Sequence, residues 1–101
     1  MNGLRYPGLP DDPAHEHARR QMRRFGTVLC FDLGSRESAE RFLGAAELVT
    51  EATSFGGVLT TAERRGRWGG DDVPEGFIRL SAGCESGADL LADVERALDG
   101  A

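Results

Sequence analysis

Of the residues able to do chemistry, one arginine is conspicuously placed. Arg79 interrupts EGFIRLSAGCE (residues 75–85), a stretch otherwise dominated by apolar residues and β-formers. A guanidinium keeps its charge at any relevant pH and is costly to bury without a partner. Two-residue periodicity places Phe77, Arg79 and Ser81 on one side of a strand, and Ile78, Leu80 and Ala82 on the other. Two readings follow. The aliphatic stem can lie along apolar surface while the head pairs with an acidic side chain of the same domain. Alternatively, the sheet holds a planar fork ready for a carboxylate from outside. Spacing alone leaves both open.

The other chemical signals are weaker. All 12 basic residues are arginines, and the chain has no lysine. No side chain can therefore form a Schiff base with an aldehyde cofactor or a carbonyl substrate. His15 and His17 stand at i, i+2, on different sides of a helix, and no neighbouring residue completes a metal-ligand set. The glycines of SFGG (54–57) lead into extended chain rather than a helix, which fits a bend or bulge better than a phosphate cradle. RRQMRR reads as the polar side of an amphipathic helix. Trp68, in GRWGG, is a lid over a ligand, a contact for another chain, or a clamp onto its own domain. Cys30 and Cys84 match no redox or metal spacing.

These residues need elements to hold them. Asp12 is the expected cap of a first helix with Pro13 at its start, and Ala14, Ala18, Met22 and Phe25 share its apolar face. GTVLCFDLG alternates, with Leu29, Phe31 and Leu33 on one side and Val28 and Cys30 on the other. Ser35 caps a second helix buried through Ala39, Phe42, Leu43 and Ala46. LVTEATSFGGVLTTAE is extended chain broken at Gly56 and Gly57, residues 63–76 read as a loop, and FIRLSAG as a strand. Ser86 caps a last helix, which presents Leu90, Leu91, Val94, Ala97 and Leu98 and stops at Gly100. The sum is a single α+β domain over residues 1–101: two layers, with a mainly antiparallel four-stranded sheet and helices on one face. Its second face, with Val28 and Cys30, then needs a lid from a partner or a second copy.

Composition sets the boundaries. The 101 residues suffice for one modest core. A net charge of −5 argues against nucleic-acid or anionic-membrane binding. No apolar run reaches membrane-spanning length and the N-terminus has no signal-like core, so the expected location is cytoplasmic.

Three stretches together resemble the C-terminal domain of the pyridoxal-phosphate-dependent trans-sulfuration enzymes: cystathionine γ-synthase, the cystathionine lyases and methionine γ-lyase. RYPGLPDDPAHEHARRQM is similar to the family's YPGLPSHPxHELAKRQM. ELVTEATSFGGV is similar to KLFTLAxSLGGV, and GFIRLSAGCESGADLLADVERAL to xLIRLSVGIExxxDLIxDLxxAL. The resemblance covers nearly the whole chain in order. It implies that Arg79 binds a substrate α-carboxylate, that Ser54 lines the active site, and that Thr53, just before it, influences the reaction and side chain favoured. It also implies departures. Leu59 and Thr60 stand where the family usually has glutamate and serine, and AERRGRWGG replaces its EHPxxMTH segment.

The family's large domain, with the cofactor's lysine, has no counterpart here. The expectation is a small subunit, inert alone and itself contributing no catalytic residue, metal ligand or cofactor-binding residue. Pyridoxal phosphate would come only from a partner chain carrying that large domain. The rival expectation is a non-catalytic module that regulates or scaffolds a related enzyme, or self-associates as a homo-oligomer.

Overall fold

A computed structural model describes residues 2–52, 59–68 and 73–101. Its elements are β1 (Asn2–Arg5), α1 (His15–Gln21), β2 (Val28–Asp32), α2 (Arg36–Ala45), β3 (Thr50–Glu51), β4 (Thr61–Arg64), a 3-10 turn (Arg65–Trp68), β5 (Phe77–Ser81) and α3 (Gly87–Asp99). The sheet has five strands in the order β1-β2-β5-β4-β3, not four. The additional strand is β1, which pairs antiparallel to β2 with an irregular register. β3 runs parallel to β4, and the remaining pairs are antiparallel.

The alternation of β2 and β5 decides which residues face the helices. Leu29 lies opposite Leu80 and Phe31 opposite Ile78, and on the other side of β5, Ala62 lies opposite Leu80. This face joins Phe31, Ala62, Ile78 and Leu80 to Ala39, Phe42, Val49 and Ala97 in one buried cluster. Phe31 and Phe42 meet edge to face, ring centres 5.6 Å apart, a favoured aromatic geometry. Both expected serine caps are present: Ser35 Oγ accepts from Ser38 N at 3.1 Å and Ser86 Oγ from Asp89 N at 3.5 Å. Leu91 departs from the expected stripe. It is 66% exposed and rims an apolar groove of about 310 Å³ between α3 and the sheet, floored by Leu29, Phe31, Leu80 and Ala82.

α1 is shorter than its apolar spacing suggested. Met22 is already extended, so Met22 and Phe25 leave the helix, and Ala18 is its one buried residue among those described. Asp12 does not cap it; Ala14 occupies that place, with no side-chain cap. The Asp12 carboxylate is engaged elsewhere. It accepts from Arg5 Nε at 3.0 Å, Arg5 Nη2 at 3.2 Å, Tyr6 N at 2.8 Å and Ala14 N at 2.8 Å. These donors, the Arg5 side-chain bond foremost, hold its pKa down to about 2. Asp12 thus ties the arm after β1 to the start of α1. No helix among the described residues is long and apolar enough to cross a membrane.

Candidate functional site

The face of β5 away from the helices carries Arg79. Antiparallel register places Cys30 of β2 on one side of it and Glu63 of β4 on the other, and Arg5 of β1 lies opposite Cys30. Directly opposed residues project to the same face. Four strands therefore contribute one row: Arg5, Cys30, Arg79, Glu63.

Glu63 is completely buried, and its Oε1 accepts from Arg79 Nη2 at 2.8 Å and from Arg65 Nη1 at 2.5 Å. The Arg79 side chain keeps 21% of its surface exposed. The answer to the first question the arginine raises is thus partly internal: this chain supplies Arg79 with a carboxylate. The side chain still reaches solvent. Burial pushes the Cys30 thiol above its ordinary pKa, against the pull of Arg79 and Arg5, so at neutral pH it is a protonated neighbour rather than a second anion.

Sequence reasoning missed Glu63. It stood where the expected extended chain (48–63) meets the expected 63–76 loop, and Glu63 and Arg64 complete β4. Pairing with Arg79 and Ile78 of β5 outweighs a local composition rich in glycine and charge. The available signal was period two: Thr61 and Glu63 share a face, as Arg79 and Ser81 do. Arg64 points the other way and is buried against Glu75, with Nη1 2.8 Å from Oε2. The last backbone of the expected loop is fixed by close approach. A Cβ on Gly76 would lie 2.7 Å from Ser35 N and 2.8 Å from Asp32 Oδ1, so only glycine lets the entry to β5 pack on the β2–α2 turn.

Thr53 and Ser54 lie outside the described residues, as does the Trp68 side chain. Their flanks are anchored. Ala52 N donates to Ala62 O at 3.1 Å. On the far side, Thr60 is fully buried, its hydroxyl donating to Glu85 Oε1 at 2.6 Å and accepting from Gly83 N at 2.8 Å, while Thr60 N donates to Glu85 Oε2 at 2.8 Å. Those bonds, the side-chain one first, hold the Glu85 carboxyl below its ordinary range. Ala52 is therefore fixed to β4, and Thr60 to the turn following Arg79's strand. His15 is engaged with Pro7 O at 2.7 Å and stacks on Phe25, and no group of three metal-binding side chains occurs among the described residues.

Comparison with known proteins agrees with this architecture. The family described as Cys/Met metabolism PLP-dependent enzyme matches residues 1–99. A Streptomyces coelicolor protein provisionally named cystathionine gamma-lyase is 67% identical over 99 residues, spanning 98% of this chain and 25% of its own length. The cystathionine gamma-synthase of Escherichia coli K12 is 40% identical, covering 91% of this chain and 27% of that one. The crystal structure of CalE6, a methionine gamma lyase from Micromonospora echinospora, superposes with a TM-score of 0.86 at 39% identity, over 96% of this chain and 26% of that one. The chain spans about a quarter of the length of the relatives it matches. This chain offers no lysine to form an imine with pyridoxal phosphate. The homology and the fold nonetheless agree over nearly every residue: the chain belongs to the Cys/Met metabolism PLP-dependent enzyme family.

Proposed function

We propose that this chain is the small, C-terminal-type domain of a split trans-sulfuration enzyme. In this reading it supplies substrate recognition to a site completed by a separate cofactor-bearing chain. The observation that carries the reading is Arg79, a partly exposed guanidinium held on a central strand of a family fold in a chain that has no lysine. The composite reaction is elimination or replacement at the β- or γ-carbon of a sulfur-containing amino acid. Pyridoxal phosphate, brought by the partner, supplies the electron sink for such chemistry.

This chain's part is orientation. Arg79 binds the α-carboxylate through its planar fork, and a carboxylate so held cannot rotate freely about the bond to its α-carbon. That selects which bond at the α-carbon is aligned for reaction. Ser54 and Thr53 line the same site. Their resemblance to the family's motif supports this placement. A planar fork on a sheet gives the geometry that a lysine on a flexible stem would not.

The test is reconstitution. The chain is co-expressed with a lysine-containing large-domain protein of the family, and co-elution and turnover of cystathionine and methionine are measured. A stoichiometric complex, active only with both chains, is expected. A chain that remains separate and leaves the partner's activity unchanged overturns the reading.

One observation favours a second reading, a non-catalytic module that self-associates or binds a related enzyme. The Arg79–Glu63 pair lies within the chain, as a purely structural arginine requires. On that reading the complex forms but Arg79→Ala leaves amino-acid binding unaltered.

A further inference from the structure

Glu63 has no role in the family resemblance as read from the sequence, yet it is the innermost charge of the arginine row. Its side chain is 0% exposed, whereas Arg79 and Arg65 keep 21% and 26%. A buried carboxylate is costly unless well paired, and an apolar residue of similar volume would serve a sheet at least as well. Two guanidinium groups converge on one of its oxygens, Arg79 Nη2 at 2.8 Å and Arg65 Nη1 at 2.5 Å. The backbones of Glu63 and Arg79 are locked in register across the β4–β5 ladder. The contact therefore fixes the distal end of Arg79, while the strand fixes the other.

An arginine fixed only at its Cα samples many rotamers, and a ligand binding it must first freeze them, which weakens binding. We propose that Glu63 is a positioning residue: it holds the Arg79 guanidinium in the orientation that receives an amino-acid carboxylate. This rests on the reading of Arg79 given above. Arg79 is partly exposed and Glu63 is not; in this proposal Glu63 holds the guanidinium from within while the ligand's carboxylate takes its exposed side. The opposite relation, in which Glu63 competes with the ligand for Arg79, makes the reverse prediction for a charge-neutral isostere.

Side-chain 15N NMR of this chain, 15N-labelled and reconstituted with its unlabelled cofactor-bearing partner, separates these cases. The Arg79 Nε signal is assigned by its loss in Arg79→Lys, and L-norleucine, an unreactive amino acid, is the probe. In the wild type, rotation about the Arg79 Nε–Cζ bond is expected to be slow and the Nε signal to move saturably with L-norleucine. In Glu63→Gln, with backbone signals of β2 and α2 unmoved, rotation becomes fast and the apparent affinity falls about tenfold, the scale of one charge-assisted hydrogen bond. Unchanged or tighter binding in Glu63→Gln overturns the positioning role while leaving Arg79 as the carboxylate ligand. Fast rotation in the wild type also overturns it, whether or not the variant folds. A wild-type Arg79 signal that ignores L-norleucine overturns the carboxylate reading itself.

Discussion

On one face of the sheet, Ile78 and Leu80 pack beneath α2 and α3 with Phe31, Phe42 and Ala62. On the other, the same strand aims Arg79 at Glu63. The two faces share every backbone hydrogen bond of β5 and differ only in what alternation delivers. The apolar face is held by non-directional burial, where volume matters more than orientation. The ionic face contributes little net stability, because the cost of burying Glu63 largely offsets its attraction to the two guanidinium groups. What it gives is direction. The difference teaches that the sheet's apolar burial and its ion pairing are separable by substitution.

The largest expected effect is on the apolar face. Phe42 is 0% exposed and meets Phe31 edge on, so Phe42→Ala should lower unfolding free energy by about 3–5 kcal/mol in urea denaturation. Glu63→Ala should cost less, about 1.5–3 kcal/mol, because both arginines it abandons reach water. If Glu63→Ala proves the more damaging of the two, the ionic face is a pillar of the fold and the contrast fails.

Acid should act locally before it acts on the core. The Asp12 carboxyl is depressed from 3.8 to about 2 when folded, so its contribution is complete above the unfolded value and is lost as pH falls from about 4 through 2. Amide signals of Tyr6 and Ala14, which donate to Asp12, should shift over that window, with Asp12→Asn removing the transition. Smallest is Leu91→Gln at the groove rim, expected to change stability by no more than about 0.5 kcal/mol because Leu91 is already exposed. A larger loss would mean that the rim belongs to the core.

How much of this was legible before folding depended on whether the deciding contacts were local. β2, β5, α2 and α3 were readable because their periods are strong and Ser35 and Ser86 mark the helix starts. β1 was not. It is four residues long, contains Gly3 at φ 60°, and becomes a strand only through β2. The parallel pairing of β3 with β4 is equally non-local. The site divided the same way. Arg79 stood out as a charge in an apolar alternation, but Glu63 lay at the junction of an extended stretch and a loop-like run, and only the β4–β5 register brings the two together. Asp12 was noticed for the right reason, a carboxylate near backbone donors, and misassigned because Arg5 and Tyr6 N approach it from the preceding strand's end.

The claim that this chain contributes recognition and not the cofactor's bond is tested most directly in the reconstituted complex. There the dissociation constant of L-norleucine, read from the partner's cofactor absorbance, is compared between wild type and Arg79→Ala. The account predicts about 10- to 100-fold weaker binding in the variant, as expected for loss of a charge-assisted carboxylate contact, with cofactor content unchanged. Affinity within a factor of about two of wild type, or loss of the cofactor along with the arginine, would contradict it.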